Sequence, residues 1–239
     1  VDVRAPDRDL NQISIRMASL LYHELAHAND FFPPALLNQI DRTVPMYQAI
    51  STTLRPSSQM TNLYPLRSVL MNRLAGVSFR GETVRSADTQ LTADDIAAEF
   101  PTDFASDFYS YTTEREDFAM LVEEAMMKYS YNLDRDVAVT VLPETLESCS
   151  QLTVSWGQRN RVAETAIQAR AAFAVQAVFP EIAAGVEAYI ATLTPRQMEN
   201  GKDWCSNIFM SAPAADRSLV TGEAQEPADL MPGFYRDYL

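Results

Sequence analysis

The clearest order along the chain is a three-and-four spacing of apolar side chains near its start. Leu10, Ile13, Met17, Leu20, Leu21, Leu25 and Ala28 recur at helical intervals, with Asp7 or Asp9 as the cap and Pro33-Pro34 as the stop. The pattern predicts a long first helix with one apolar side. Residues 35–80 read as short helices punctuated by Pro45, Pro56 and Pro65, the clearest at 66–74, and the polar stretch 81–90 reads as a loop. Thr92 opens a short helix over 93–100 that Pro101 stops. A stronger period follows: Phe118, Leu121, Val122, Ala125, Met126 and Tyr129 form the buried stripe of a helix whose first turn carries Glu116 and Asp117, where the helix dipole favours carboxylates.

From Asn132 onward the texture changes. Residues 137–142 and 151–156 are rich in β-branched side chains and predict strands, although the second segment fits the opening of the next helix equally well. Alanine-rich helices are expected at 159–179 and 181–193, separated by Pro180. Thr194-Pro195-Arg196-Gln197 has the form of a capping box with proline at the first helical position. The tail from Ser211 reads as extended chain over the surface. There is no internal repeat, phosphate-binding glycine loop or basic tract.

Composition narrows the picture. A chain of 239 residues with 47% apolar and 21% charged residues is ordinary for a folded protein and long enough to bury a core. Its net charge of -13 repels phosphate backbones, which argues against nucleic-acid binding. No apolar run is long enough to span a bilayer, so no transmembrane segment is expected. The chain opens on valine without a signal peptide; the expectation is an exported protein, periplasmic, surface-attached or secreted, with its signal removed. Cys149 and Cys205 fit either one disulfide in an oxidising compartment or two buried thiols.

The chemistry concentrates in one place. The chain has two histidines, and both fall in Tyr22-His23-Glu24-Leu25-Ala26-His27. A four-residue step puts two imidazoles on one helix face within reach of one metal ion. Glu24, rotated by about 100° from His23, lies beside that ion and not among its ligands. This is the H-E-x-x-H arrangement of two Zn²⁺ ligands and a carboxylate general base. The same letters also occur on amphipathic helices with a solvated glutamate and satisfied histidines, but here both histidines of the chain are spent on the motif.

A catalytic zinc site commonly has three protein ligands and an open position. No histidine remains, so the third ligand must be a carboxylate, and Glu116 is the choice because it opens a strongly amphipathic helix. From spacing alone a rival reading weighs equally, since Thr113-x-x-Glu116 is also a capping-box spacing.

Tyr109-x-x-x-x-Glu114-x-Glu116-x-Phe118-Ala119 resembles the downstream motif of the glutamate-zincins, in particular the peptidase domain of anthrax lethal factor and its relatives. His27-Ala28-Asn29-Asp30 resembles the same group. The resemblance covers two short segments, about a tenth of the chain. It implies Glu116 as the third ligand and Tyr109 as the hydroxyl that steadies the oxyanion; Asp30 fits equally a carboxylate beside a ligand histidine and a surface acid at the helix end. Met120 stands where that group often has another glutamate, with Glu123 as the substitute, and the gap between the motifs is longer.

The expected fold is mainly α (α+β): a zincin-like catalytic core over residues 1–132 and a helical C-terminal lobe over 133–239 packed on it as one unit. The sheet that usually shelters the motif helix is missing, reduced to Val1-Asp2-Val3, or supplied from upstream. The expected activity is zinc-dependent hydrolysis of a peptide or protein substrate. Glu24 would accept the proton of a zinc-activated water, and Tyr109, with Tyr111 as its rival, would steady the tetrahedral oxyanion. The alternative is a non-catalytic zincin-like binding or scaffold protein with a vestigial metal site.

Overall fold

The fold is built around the helix α5, Glu114–Tyr131, which is buried over almost its whole length in a computed structural model that describes residues 10–45, 48, 49 and 54–209. Thr113 caps its first turn by accepting the N–H of Glu116 at 3.2 Å, and Asn132 ends it in the left-handed conformation at φ 51°. Every residue from Asp117 to Lys128 is buried. Such a helix must be surrounded. α1 (Leu10–Phe31), α2 (Pro56–Leu63), α6 (Thr165–Val178) and α7 (Ala183–Ile190) pack around it. Phe118, Leu121, Val122 and Ala125 share one core with Ala26 and Met60 on one side and Ile167, Ala171, Val175 and Val186 on the other. That core crosses the expected boundary at 132/133, so the two segments form one hydrophobic unit.

The chain is mainly helical, with α3 (Val69–Arg80), α4 (Ala93–Glu99) and α8 (Trp204–Phe209) completing the helices. A small antiparallel sheet of β1 (Asp136–Val141), β2 (Thr153–Arg159) and β3 (Arg196–Gln197) has the order β1-β2-β3. All three strands come after α5; among the described residues none shelters α1. A second core of Met71, Ala75, Phe100, Ala105 and Tyr111 joins α3 and the end of α4 to the sheet through Val137 and Trp156. A disulfide joins Cys149 to Cys205, tying the β1–β2 connection to α8 with Cα atoms 5.3 Å apart.

Several expectations are corrected. The helix expected at 66–74 runs instead over Val69–Arg80, because the Ser68 hydroxyl accepts the Met71 N–H and Gly81, at φ 70°, turns the chain out of the helix. The helix expected from residue 159 begins at Thr165, since Arg159 ends β2 and 161–163 form a 3₁₀ turn. Thr194-Pro195-Arg196-Gln197 opens no helix: Arg196 and Gln197 pair with β2, and Met198 N–H donates to Gly157 O at 2.9 Å. Here a ladder with a distant strand outweighs a local capping pattern.

The largest correction concerns α1. Its apolar stripe faces outward, with Leu10 83%, Met17 61% and Leu21 58% exposed, while Ser19, Ala26 and Asp30 are buried. The side that meets α5 is the one carrying the polar chemistry. The Asp7 or Asp9 cap, the Val1-Asp2-Val3 layer and the tail from Ser211 lie outside the described residues.

Candidate metal centre

α1 and α5 lie against each other with His23 and His27 on one helix and Glu116 at the first turn of the other. Three donor atoms converge there. His23 Nε2 is 3.1 Å from Glu116 Oε2, His27 Nε2 is 3.2 Å from the same oxygen, and the two Nε2 atoms are 3.2 Å apart. Zinc–ligand bonds of about 2.0–2.1 Å at tetrahedral angles put neighbouring ligand atoms about 3.3 Å apart, close to the edges of this triangle. The imidazoles and the carboxylate are partly buried, with side-chain exposures of 13%, 20% and 20%. One edge of the site is thus left open.

The two readings of Thr113-x-x-Glu116 divide between backbone and side chain. The Glu116 N–H is capped by Thr113, while its carboxylate points to the histidines. These groups hold one another by charge. Burial by itself would lower the His23 pKa, but hydrogen bonds to Glu116 and Glu123 raise it to about 9. Glu116 goes the other way: burial opposes ionisation, yet the two histidines bring it down to about 2. A metal ion bound here would therefore have to compete with a proton for the His23 Nε2 lone pair.

Behind the triangle, Glu123 Oε2 faces His23 Nδ1 at 3.2 Å, and Ser19 Oγ donates to Glu123 Oε1 at 2.6 Å. Burial resists the charge on Glu123, but His23, Arg135 and Ser19 outweigh it and lower its pKa. A carboxylate at Nδ1 keeps the ring proton on that nitrogen, which leaves Nε2 free to act as a ligand. Glu123, the expected substitute for the glutamate missing at Met120, thus sits beside His23, whereas Asp30 does not. Asp30 is buried, and its two oxygens accept the Ser57 N–H at 2.7 Å and Oγ–H at 2.8 Å, which caps the first turn of α2. Burial raises its pKa.

Glu24 is exposed on α1, one residue past His23. Tyr109 starts a 3₁₀ turn, Tyr109–Tyr111, and its ring lies 6.4 Å from that of His23 and edge-on to Phe79 at 5.0 Å. Tyr111 is buried and donates its hydroxyl to Asp103 Oδ2 at 3.1 Å, so it belongs to the core beneath the turn. Cys149 and Cys205 lie in a separate cluster with Val154, Met198 and Trp204.

Three residues around this centre carry no signal in the sequence. Ser19 is one of two serines in α1, Asp107 sits in an irregular segment, and Arg135 follows the end of α5. No spacing rule connects them to a histidine more than a hundred positions away from the last of them; only the packing of α1 on α5 does. No family model, curated protein or solved structure matches the chain.

Proposed function

We propose that the chain is a zinc-dependent peptidase of zincin type, with His23, His27 and Glu116 as the metal ligands and a peptide or protein as substrate. The observation that carries this reading is the triangle of two imidazole nitrogens and one carboxylate oxygen with edges of 3.1–3.2 Å, drawn from two packed helices. The donor set of two histidines and a glutamate fits zinc with a position left for water. A zinc ion held there would acidify a water toward neutrality and polarise the scissile carbonyl.

The chain's own residues do the rest. Glu24, one residue past His23 and solvent-exposed, takes the proton from the attacking water and delivers it to the leaving amine. Tyr109 donates its hydroxyl to the carbonyl oxygen as charge builds there, a contribution of about 3 kcal/mol for a well-placed donor. Glu123 holds the His23 ring by its Nδ1–H. The resemblance to the glutamate-zincins supports the same roles, and the disulfide supports an exported, oxidising setting.

A second reading is favoured by one observation: both ring nitrogens of His23 are hydrogen-bonded to carboxylates, Nε2 to Glu116 and Nδ1 to Glu123. A binding or scaffold protein with a vestigial site would use that ion-paired form alone. Zinc content after purification without chelator separates the two, since one zinc per chain is expected and none would leave only the scaffold. Glu116→Ala is expected to weaken zinc binding by at least about 100-fold. Glu24→Gln is expected to keep the metal and to lose about 10²–10⁴-fold in peptide hydrolysis; undiminished turnover would remove Glu24 from its role.

A further inference from the structure

Asn132 ends α5 in the left-handed conformation, and after three intervening residues the chain enters β1. Arg135, in that short passage, is fixed by its backbone: its carbonyl accepts the Asn160 N–H at 2.9 Å, just beyond β2. Its side chain turns back over α5. Nη1 donates to Glu123 Oε1 at 3.3 Å and Nη2 to Asp107 Oδ2 at 2.7 Å. One guanidinium thus joins two carboxylates from different parts of the chain.

Each of those carboxylates steers one side of the candidate centre. Glu123 faces His23 Nδ1 through its other oxygen and also takes the Ser19 hydroxyl, so its plane is set from three directions. Asp107 accepts the Ser110 N–H at 3.1 Å through its other oxygen, which pins the Tyr109–Tyr111 turn. We propose that Arg135 is a positioning residue that sets the His23 ring and the Tyr109 turn relative to each other. This rests on the metal reading above.

The chemistry explains why arginine stands there. Its rigid planar fork reaches two acceptors at once, and its charge offsets two partly buried acids that would otherwise repel each other. A lysine reaches one of them at a time. Removing the fork lets the Glu123 carboxylate rotate about its remaining contacts, and the His23 ring follows. Outer partners of this kind change metal affinity by about 10–100-fold when lost, without touching the metal.

The test uses the full chain with Arg135→Met and Arg135→Lys. Zinc affinity is measured by competition with a chelator, and the cobalt(II)-substituted protein is followed by its visible absorption, which reports ligand geometry directly. Arg135→Met is expected to bind zinc about 10–100-fold more weakly with an altered cobalt spectrum, and Arg135→Lys to recover only part of both. If Arg135→Met loses its far-ultraviolet circular dichroism, Arg135→Lys carries the same test. Affinity and spectrum equal to wild type in a folded variant overturn the positioning role alone. A wild-type chain that binds neither metal overturns the metal reading and the positioning role with it.

Discussion

The two helices that meet at the centre solve opposite problems. α5 is buried on every side, so its sequence mixes apolar residues with acids that find partners inside: Asp117 with Arg170, and Glu124 with the Val162 N–H at 3.0 Å. α1 is a surface helix turned against expectation, with Leu10, Leu20 and Leu21 in solvent, a serine and two histidines toward α5, and an aspartate toward α2. A strong apolar period therefore marked an outer face on one helix and a core on the other. The cost of burying polar groups is what separates them: Ser19 and His23 are paid for on the α5 side by acids that already stand there, and no such partners wait outside.

The sharpest way to break this comparison is the same truncation on each helix. Leu121→Ala on α5 is expected to cost about 3 kcal/mol in urea unfolding, as for other fully buried leucines. Leu21→Ala on α1 is expected to stay within about 0.5 kcal/mol. Equal losses would mean that the outer face of α1 is packed in solution.

A smaller effect concerns the acid sealed inside α5. Burial raises the Glu124 pKa to about 7 from 4.5, and its Oε2 has no hydrogen-bond partner. The unfolded chain releases this proton first, so stability falls as pH rises from about 4.5 to 7 and levels off above. Glu124→Gln imitates the neutral form. It is expected to gain about 2 kcal/mol over wild type at pH 8 and little at pH 4.5 in chemical denaturation. A gain that does not grow with pH would show the buried group to be charged.

Between the helices, a proton would compete with the proposed metal. Because the His23 pKa is raised to about 9, a zinc ion bound there would have to displace a proton below that pH. Zinc affinity is expected to fall about tenfold, or about 1.4 kcal/mol, per pH unit between 8 and 7. For the metal-free chain the signs are opposite for the two partners. The His23 contribution is complete below 6.5 and is lost as pH rises through about 9, whereas that of Glu116 is complete above 4.5 and is lost as pH falls through about 2. Chelated protein is therefore expected to show its largest site contribution near pH 5.5; a pH-independent difference from His23→Ala would contradict the pairing.

A modest effect is also expected at Ser19, whose hydroxyl holds Glu123 at 2.6 Å from inside the α1–α5 contact. Ser19→Ala is expected to cost about 1–2 kcal/mol, as for a hydrogen bond to a charged group. A neutral result would leave Arg135 as the main support of that carboxylate.

Much of this protein was written in local order. Periods of three and four placed α1 and α5 along the chain, alanine-rich stretches marked α6 and α7, Thr92 marked one helix start and Thr113 offered a capping-box spacing at another, and β-branched runs marked β1 and β2. The spacing of His23 and His27 by itself put two ring nitrogens on one face, because four residues are nearly one helical turn. Tertiary packing decided the rest. It chose which face of α1 turned inward, sent the Glu116 carboxylate to the histidines while its N–H stayed capped, gave Asp30 to Ser57, made Arg196 and Gln197 a strand, and brought Arg135 back over Glu123. Spacing along a chain fixes only neighbours within a turn or two; contacts between residues ninety or a hundred positions apart depend on how whole faces match in shape, charge and hydrogen bonds.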